Sequence, residues 1–565
     1  MPHILTKPLS IAIGALVVIL CGLSFSAHIQ AGHGVSVEAV RFRGQSGAEM
    51  RALLFKPRDA TAAHRHPAIL AVHGYLNSAE MQGNFATEFA RRGYVVLAPD
   101  QRGHGGSDPK TFADGFGGPN ALRYLRSLPF VDRDNIGLEG HSMGGWTVLA
   151  AAAAVPNGYR SLVLEGSSVG APFAPAGTAS FPRNLLVVYG LRDEFGELMW
   201  GPQAPLRTGA TEKIMTTFGI SAPVIPGRLY GDLRAGTGRM LLTPFVAHAW
   251  LHESRAGITP AIQWFARTLE QPRPLADDDQ VWQWREAGAA LALIAVPFFI
   301  AGAMGAAIRC FGIVRNDGPN ATLPDPSRAR VGQLVAFSLV PAIAYLPLAM
   351  LSEAVLGQNW LFRQTFSNQL AFWAVLCTLG GLASARFSGR PALPLGASWR
   401  GVVAAALAVG AGFAVVTAAD ALGHVNPSWW FITVRPLTPT RFRDFFLYLP
   451  FFTGFAMTSL YVLDSLRPLE LGSTIRALLV ASAAMSGGFV LFLTVQYGTL
   501  LLRGTLLLPA EGLRTIMAIG FVPMFVTVGV FGTLSRRWTG SVFTGGIAAG
   551  LFVTGVLTAT QPIGV

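Results

Sequence analysis

Cysteine is nearly absent from this 565-residue chain, with three in all, Cys21, Cys310 and Cys377. Cys21 and Cys377 fall inside long apolar runs and Cys310 at the end of one, so residues 30–283 contain none. That segment must fold without disulfides, and metal sites built on cysteine are excluded. Charge is scarce as well. Only 13% of residues are charged while 51% are hydrophobic, against about a quarter charged in soluble domains. A wholly water-soluble chain is excluded by that balance. The 31 acidic residues are outnumbered by 43 basic ones, for a net charge of +12. Much of the excess lies in short loops between apolar runs, where membrane topology and anionic headgroups account for it, so no nucleic-acid partner is expected. No internal repeat of 20–50 residues is visible.

What is abundant is long apolar sequence. Nine runs approach the ~20 residues needed to cross a bilayer, at 9–29, 287–308, 331–353, 368–385, 401–422, 445–464, 477–501, 515–534 and 541–559. The division expected is an anchor or signal segment at 1–29, a water-facing domain at 30–283 and a membrane domain of about eight helices at 284–565. Ser24-Phe25-Ser26 would suit cleavage of the first segment, but its apolar run is long for a signal peptide, and an uncleaved anchor is expected. With a cytoplasmic N-terminus, the inner loops carry Arg309, Arg315, Arg328, Arg330, Arg386, Arg390, Arg400, Arg467, Arg476, Arg536 and Arg537. The outer ones carry Arg363, Arg435, Arg441, Arg443, Arg503 and Arg514, which makes eleven against six. The positive-inside rule then predicts a multi-pass protein of the cell membrane with residues 30–283 outside the cytoplasm. Glu353, Asp420, Asp444 and Asp464 fall near span ends, which argues against an ion relay at the midplane. Trp429-Trp430-Phe431 fits an interfacial belt.

From 35 to 272 the pattern alternates strand and helix. Val35–Gly44 and Glu49–Lys56 read as an antiparallel pair, and Ala68–Val72, Tyr94–Pro99, Asn135–Glu139, Leu162–Glu165 and Leu185–Tyr189 as buried strands. Phe85–Arg92, Ala121–Leu128, Met143–Ala154 and Ala261–Leu269 read as helices between and after them. Such alternation predicts a mostly parallel sheet with helices on both faces, and active groups at the carboxyl ends of its strands. Only about twenty residues separate the strands at 162–165 and 185–189, too few for a large helical cap. The irregular stretch Glu194–Pro226 could supply a small lid.

The strand at Asn135–Glu139 runs into Gly140-His141-Ser142-Met143-Gly144-Gly145 and then a helix. Small residues flanking a serine at a strand-to-helix turn lift its hydroxyl clear of the sheet, with the helix N-terminus aimed where an oxyanion would form. Ser142 is the candidate nucleophile. A serine needs a base, and the base needs a carboxylate to hold its tautomer. Asp193 follows the strand at Leu185–Tyr189 and is the expected acid, with Glu194 the alternative. His248 lies sixteen positions before Trp264 of the closing helix and is preferred as base over His252. The two histidines are spaced as a zinc pair would be but lack a third ligand, so no metal or cofactor is expected. The N–H groups of Met143 and of Tyr75, in the loop His73-Gly74-Tyr75, are the expected oxyanion donors. Asp100 and His104 are read as structuring the loop after the strand at 94–99.

His73-Gly74, Asp100-Gln101-Arg102-Gly103-His104-Gly105 and Gly140–Gly145, in this order, resemble the α/β-hydrolase superfamily. The likeness is to its monoacylglycerol-lipase-like and serine-aminopeptidase-like group, with a short cap more like that of dienelactone hydrolases. It covers residues 50–272. The resemblance implies an α/β-hydrolase fold, which the apolar runs join to an all-α polytopic membrane domain, and hydrolysis of small or lipid-like carboxylic esters through an acyl-enzyme. Membrane lipids are the expected surroundings. An aminopeptidase or amidase is the enzymatic alternative, with Glu194 and Glu197 available to a substrate ammonium. A transporter or lipid-handling protein with a hydrolase-fold accessory domain is the alternative of another class.

Overall fold

The computed structural model describes residues 7–201, 207–313, 328–387, 398–466 and 473–565. Arg315, Arg390 and Arg467 of the arginine tally lie outside them. Eight strands form one sheet: β1 (Val35–Arg43), β2 (Glu49–Pro57), β3 (His66–Val72), β4 (Val95–Pro99), β5 (Val131–His141), β6 (Ser161–Glu165), β7 (Leu185–Val188) and β8 (Arg239–Leu242). Their spatial order is β1-β2-β4-β3-β5-β6-β7-β8, with β1 and β2 antiparallel and every pair from β4 to β8 parallel. Side chains alternate across the sheet as the period of two requires. Leu70 and Val72 of β3 join the core beneath helices α3 (Gly118–Ser127) and α4 (Met143–Ala154), while Ile69 and Ala71 join that beneath α2 (Gly83–Arg91) and α7 (Arg255–Thr268).

The predicted parallel sheet is therefore present, with differences at its far edge. Strand β8 was not foreseen, because Arg239-Met240-Leu241-Leu242 is short and opens on an arginine. Burial of Arg239 is tolerated because its guanidinium donates to the carbonyls of Thr217 at 3.2 Å, Gly238 at 2.9 Å and Thr178 at 3.0 Å. Helix α7 begins at Arg255, six residues before the expected start, and carries Pro260 within it. The stretch expected to be irregular holds two short helices, α5 (Gly196–Trp200) and α6 (Glu212–Phe218).

Among the described residues, nine helices are long and apolar enough to cross a membrane. They are α1 (Pro8–Ala31), α8 (Trp282–Cys310), α9 (Arg328–Val355), α10 (Thr365–Phe387), α11 (Trp399–Gly423), α12 (Pro439–Ser465), α13 (Thr474–Arg503), α14 (Gly512–Thr539) and α15 (Phe543–Thr560). Helices α1 and α8 approach so closely that a Cβ on Gly22 would lie 2.5 Å from the Gly288 carbonyl oxygen, and one on Gly288 equally near that of Gly22. Small residues permit such backbone contact between apolar helices.

The two units meet through polar contacts at one end of the bundle. Both the Val281 and Trp282 amides donate to Glu88 Oε1, at 2.6 and 2.9 Å, so a carboxylate from α2 caps the start of α8. Arg285 donates to Asn84 Oδ1 at 3.0 Å and to the Glu80 carbonyl at 2.9 Å. Past α15, the Ile563 amide donates to the Gly103 carbonyl at 2.9 Å and its carbonyl accepts from the Thr111 amide at 3.0 Å. A two-stranded hairpin of β9 (Ser428–Trp429) and β10 (Ile432–Thr433) belongs to the same end. Its buried Trp430 stacks on Trp250 with ring centroids 5.1 Å apart, so this aromatic joins the two units.

Candidate active site

Ser142 sits between β5 and α4 at φ 55° and ψ −123°, a conformation that costs a non-glycine residue of order 1–3 kcal/mol. The flanking glycines explain how the turn is built. A Cβ on Gly140 would lie 2.3 Å from the Gly144 carbonyl oxygen, and one on Gly144 2.1 Å from that of Val72. The Ser142 amide is held by the Glu165 carbonyl at 2.8 Å. Its side chain abuts the loop after β3, since a Cβ on Gly74 would stand 3.1 Å from Ser142 Cβ.

Asp193 and His248, 55 residues apart, come together past the ends of β7 and β8. His248 Nδ1 donates to Asp193 Oδ2 at 2.7 Å, and both side chains are buried. A carboxylate only accepts, so this bond places the proton on Nδ1 and leaves Nε2 as the basic nitrogen. Asp193 Oδ1 accepts from the Phe195 amide at 2.8 Å, and the Phe195 ring lies edge-on to the imidazole at 4.6 Å. Burial opposes protonation of His248, but the Asp193 carboxylate, its hydrogen bond and the charge of Glu194 outweigh it and raise the imidazole above its ordinary value. Glu194 holds a different post from the one its neighbour fills. It accepts from the His248 amide at 2.8 Å through Oε2 and from the Tyr497 hydroxyl of α13 at 2.7 Å through Oε1.

His252 is a core residue. Its ring packs edge-on against Phe85 at 5.6 Å and His141 at 4.1 Å, and neither ring nitrogen has a hydrogen-bond partner among the described residues. Burial, with His248 and His73 nearby, pushes it down to about 3. His141 backs the site from beneath by donating Nε2 to the His248 carbonyl at 3.1 Å. The amides of Tyr75 and Met143 have no acceptor among the described residues. Asp100 ties its loop together, accepting from the Ala79 amide at 2.8 Å and the Gly106 amide at 2.9 Å and pairing with Arg51 at 3.1 Å. His104 is buried with its ring 5.5 Å from that of Tyr75. An aromatic wall flanks the serine. Phe112 stacks on Tyr75 and Phe173 at 6.5 and 5.8 Å, and Phe173 lies 4.8 Å from Trp146 of α4.

Three residues were not anticipated: Tyr497, His141 and Phe195. Phe195 stands two positions after Asp193 and could have been suspected; Tyr497 is 303 residues from Glu194 and nothing local marks it. Of groups spaced as metal ligands, Asp59, His64 and His66 come together among the described residues. Asp59 is paired with Arg273 at 2.6 Å through Oδ1, and His66 Nδ1 donates to the Gly93 carbonyl at 2.7 Å.

Residues 67–193 match the family described as alpha/beta hydrolase fold. A monoacylglycerol lipase of Mycolicibacterium smegmatis is 33% identical over 113 residues, which are 18% of this chain and 38% of that protein. The match thus spans well under half of that relative. Similar solved structures include acetyl xylan esterase 1 from Thermoanaerobacterium sp., 17% identical over 42% of this chain and 84% of that one, with a TM-score of 0.28. An S-formylglutathione hydrolase from Agrobacterium tumefaciens is 15% identical over 42% of this chain and 97% of its own, with a TM-score of 0.30. The matched segment, Pro67 to Asp193, takes in the turn at Ser142 and ends on Asp193.

Proposed function

We propose that the chain is a membrane-embedded serine hydrolase of carboxylic esters, with residues 30–283 as its catalytic domain outside the cytoplasm and 284–565 as its membrane domain. What supports this reading is the 2.7 Å bond from His248 Nδ1 to Asp193 Oδ2 past the sheet's carboxyl ends, together with a serine held at φ 55° at the end of β5. His248 Nε2 takes the proton from Ser142 Oγ as the oxygen attacks the ester carbonyl, and the N–H groups of Tyr75 and Met143 receive the oxyanion. The histidine then gives that proton to the departing alkoxide, leaving an acyl-serine and a free alcohol. Water, deprotonated by the same nitrogen, attacks the acyl-serine; the proton returns to Ser142 Oγ and the acid is released. Asp193 stabilises the imidazolium throughout.

Of the two acids weighed for an aminopeptidase, Glu194 is buried and accepts from the His248 amide and the Tyr497 hydroxyl, while Glu197 is exposed. The membrane orientation rests on the arginine tally. Labelling of the detergent-solubilised protein with a fluorophosphonate tests the assignment. Labelling that disappears in Ser142→Ala is expected, and wild-type protein that neither labels nor hydrolyses p-nitrophenyl butyrate would sink it.

A further inference from the structure

We infer that the helical unit, and not a cap on the sheet unit, holds the acyl chain of the ester, in a cavity that opens to the lipid and ends at the loop beside Ser142. The inference rests on the serine-hydrolase reading above and adds where the substrate's hydrocarbon goes.

A cavity of about 740 Å³ lies between α8, α13, α14, α15 and the β9–β10 hairpin. That is within the range of about 300–1,000 Å³ typical of ligand sites. Its lining is apolar, and Ile294, Phe298 and Val490 around it are 63, 48 and 46% exposed on the outer face of the bundle. A chain lying in the bilayer meets this opening sideways, without passing through water. A smaller hollow of about 70 Å³ adjoins it. Ile432, Thr433, Gly520, Met524 and Val556 line both spaces, so the two share a common wall.

The smaller hollow ends on Leu76. This is the residue after Tyr75, whose amide is assigned to the oxyanion, and two after Gly74, which abuts Ser142 Cβ. Leu76 belongs to the sheet unit by sequence, yet its side chain is buried in the core of the helical unit. Its backbone is in the left-handed region at φ 68°. Leucine adopts that conformation at a cost, and here it turns the side chain out of the sheet unit and into the bundle. Tyr75 also touches the helical unit, edge-on to Phe366 of α10 at 6.1 Å. The oxyanion loop therefore forms the inner end of a lipid-facing cavity. The described residues between β6 and β7 offer no large cap to do the same work from the other side; Phe173 of that stretch stacks on Phe112, which follows β4.

Gly520 supplies the test. A Cβ there would meet nothing nearer than Phe431 Cε2 at 4.0 Å, so a larger side chain can enter the shared wall without striking backbone. In wild-type protein, kcat/KM for p-nitrophenyl esters should rise from butyryl to decanoyl by up to about fourfold per methylene, the burial value of ~0.8 kcal/mol converted to a ratio. Gly520→Phe should lower the decanoyl-to-butyryl ratio about tenfold or more. Gly410→Leu, at an exposed position of α11 with nothing within 4 Å, should leave it unchanged. The ratio is insensitive to loss of folded protein.

A second measurement does not depend on a variant. A long-chain alkyl fluorophosphonate with a terminal diazirine, bound to Ser142 and then irradiated, should cross-link to α14 between Met517 and Met524 or to α15 near Val556. Cross-links confined to Phe112 and Phe173, or an unchanged ratio in Gly520→Phe, overturn the inference while leaving the hydrolase reading intact. Failure of the probe to label Ser142 at all overturns the hydrolase reading, and this one with it.

Discussion

The sheet unit around His248 and the helix ends of the bundle hold their ionisable groups differently. At the carboxyl ends of β5 to β7 and in the loops beyond, Glu139, His141, Glu165, Asp193, His248 and His252 are all buried within one neighbourhood, and only Asp193 and His248 make an ion pair. Burial favours the neutral form of the others. Burial pushes Glu139 up to about 8, with its hydrogen bond from Gln82 Nε2 at 2.5 Å opposing this weakly, and burial next to Glu139 raises Glu165 further. In the helical unit, acids are matched with bases near helix ends, as in Arg363 with Asp444 at 2.7 Å and Arg536 with Asp464 at 2.9 Å. The His248–Asp193 pair is thus surrounded by groups whose burial favours the neutral form, whereas the bundle sets opposite charges against each other at its ends.

That contrast can be broken most directly at Ser142. Ser142→Ala should lower kcat for p-nitrophenyl butyrate by about 10⁵–10⁶-fold, and residual turnover far above that would locate chemistry elsewhere in the chain. His248→Ala should cost a similar factor. His252→Ala, four positions away, should change kcat by less than about threefold while lowering stability by ~1–3 kcal/mol through the packing it loses, read as a fall in Tm. If the two variants exchange these phenotypes, the division between a charged pair and neutral neighbours is wrong.

Smaller effects sharpen the same picture. Gly74→Ala sets a methyl 3.1 Å from both Ser142 Cβ and His141 Nδ1, and the displaced oxyanion loop should cost about 100-fold in kcat with little change in KM. Tyr497→Phe removes the hydroxyl that links α13 to Glu194. A loss of ~1 kcal/mol, at most about tenfold in kcat, is expected, and no effect at all would mean the units act independently.

The pH profile completes the series. His248 acts as a base only when neutral, and its value is raised above 6.5 by Asp193 and Glu194 against the opposing effect of burial. Activity should therefore fall as pH drops through a midpoint above 6.5. Glu194→Gln removes a negative charge that favours the imidazolium, so the midpoint should move to lower pH, as a kcat/KM profile would record.

Much of the site could be read from the chain because its parts are local. The turn at Gly140–Gly145 must have small residues where neighbouring backbones come within van der Waals distance, and an acid after β7 is visible as the end of an apolar run. Choosing between His248 and His252 was harder, since both lie in one short stretch and only spacing to α7 separated them. Strand β8 carried no periodic signal. Its four residues are held by pairing with β7 and by carbonyls from distant loops around Arg239, which are tertiary facts.

The composition and order of residues were enough to establish an α/β sheet followed by apolar spans, because burial periodicity and bilayer thickness act on segments a few residues to a few turns long. The Ser142 turn is legible for the same reason. Only the folded chain brought Tyr497 to Glu194, laid Ile563 beside Gly103 and turned Leu76 into the helical core, across hundreds of residues in the first two cases. Such contacts depend on how two separately folded surfaces dock, and the residues involved look ordinary until a partner stands opposite them.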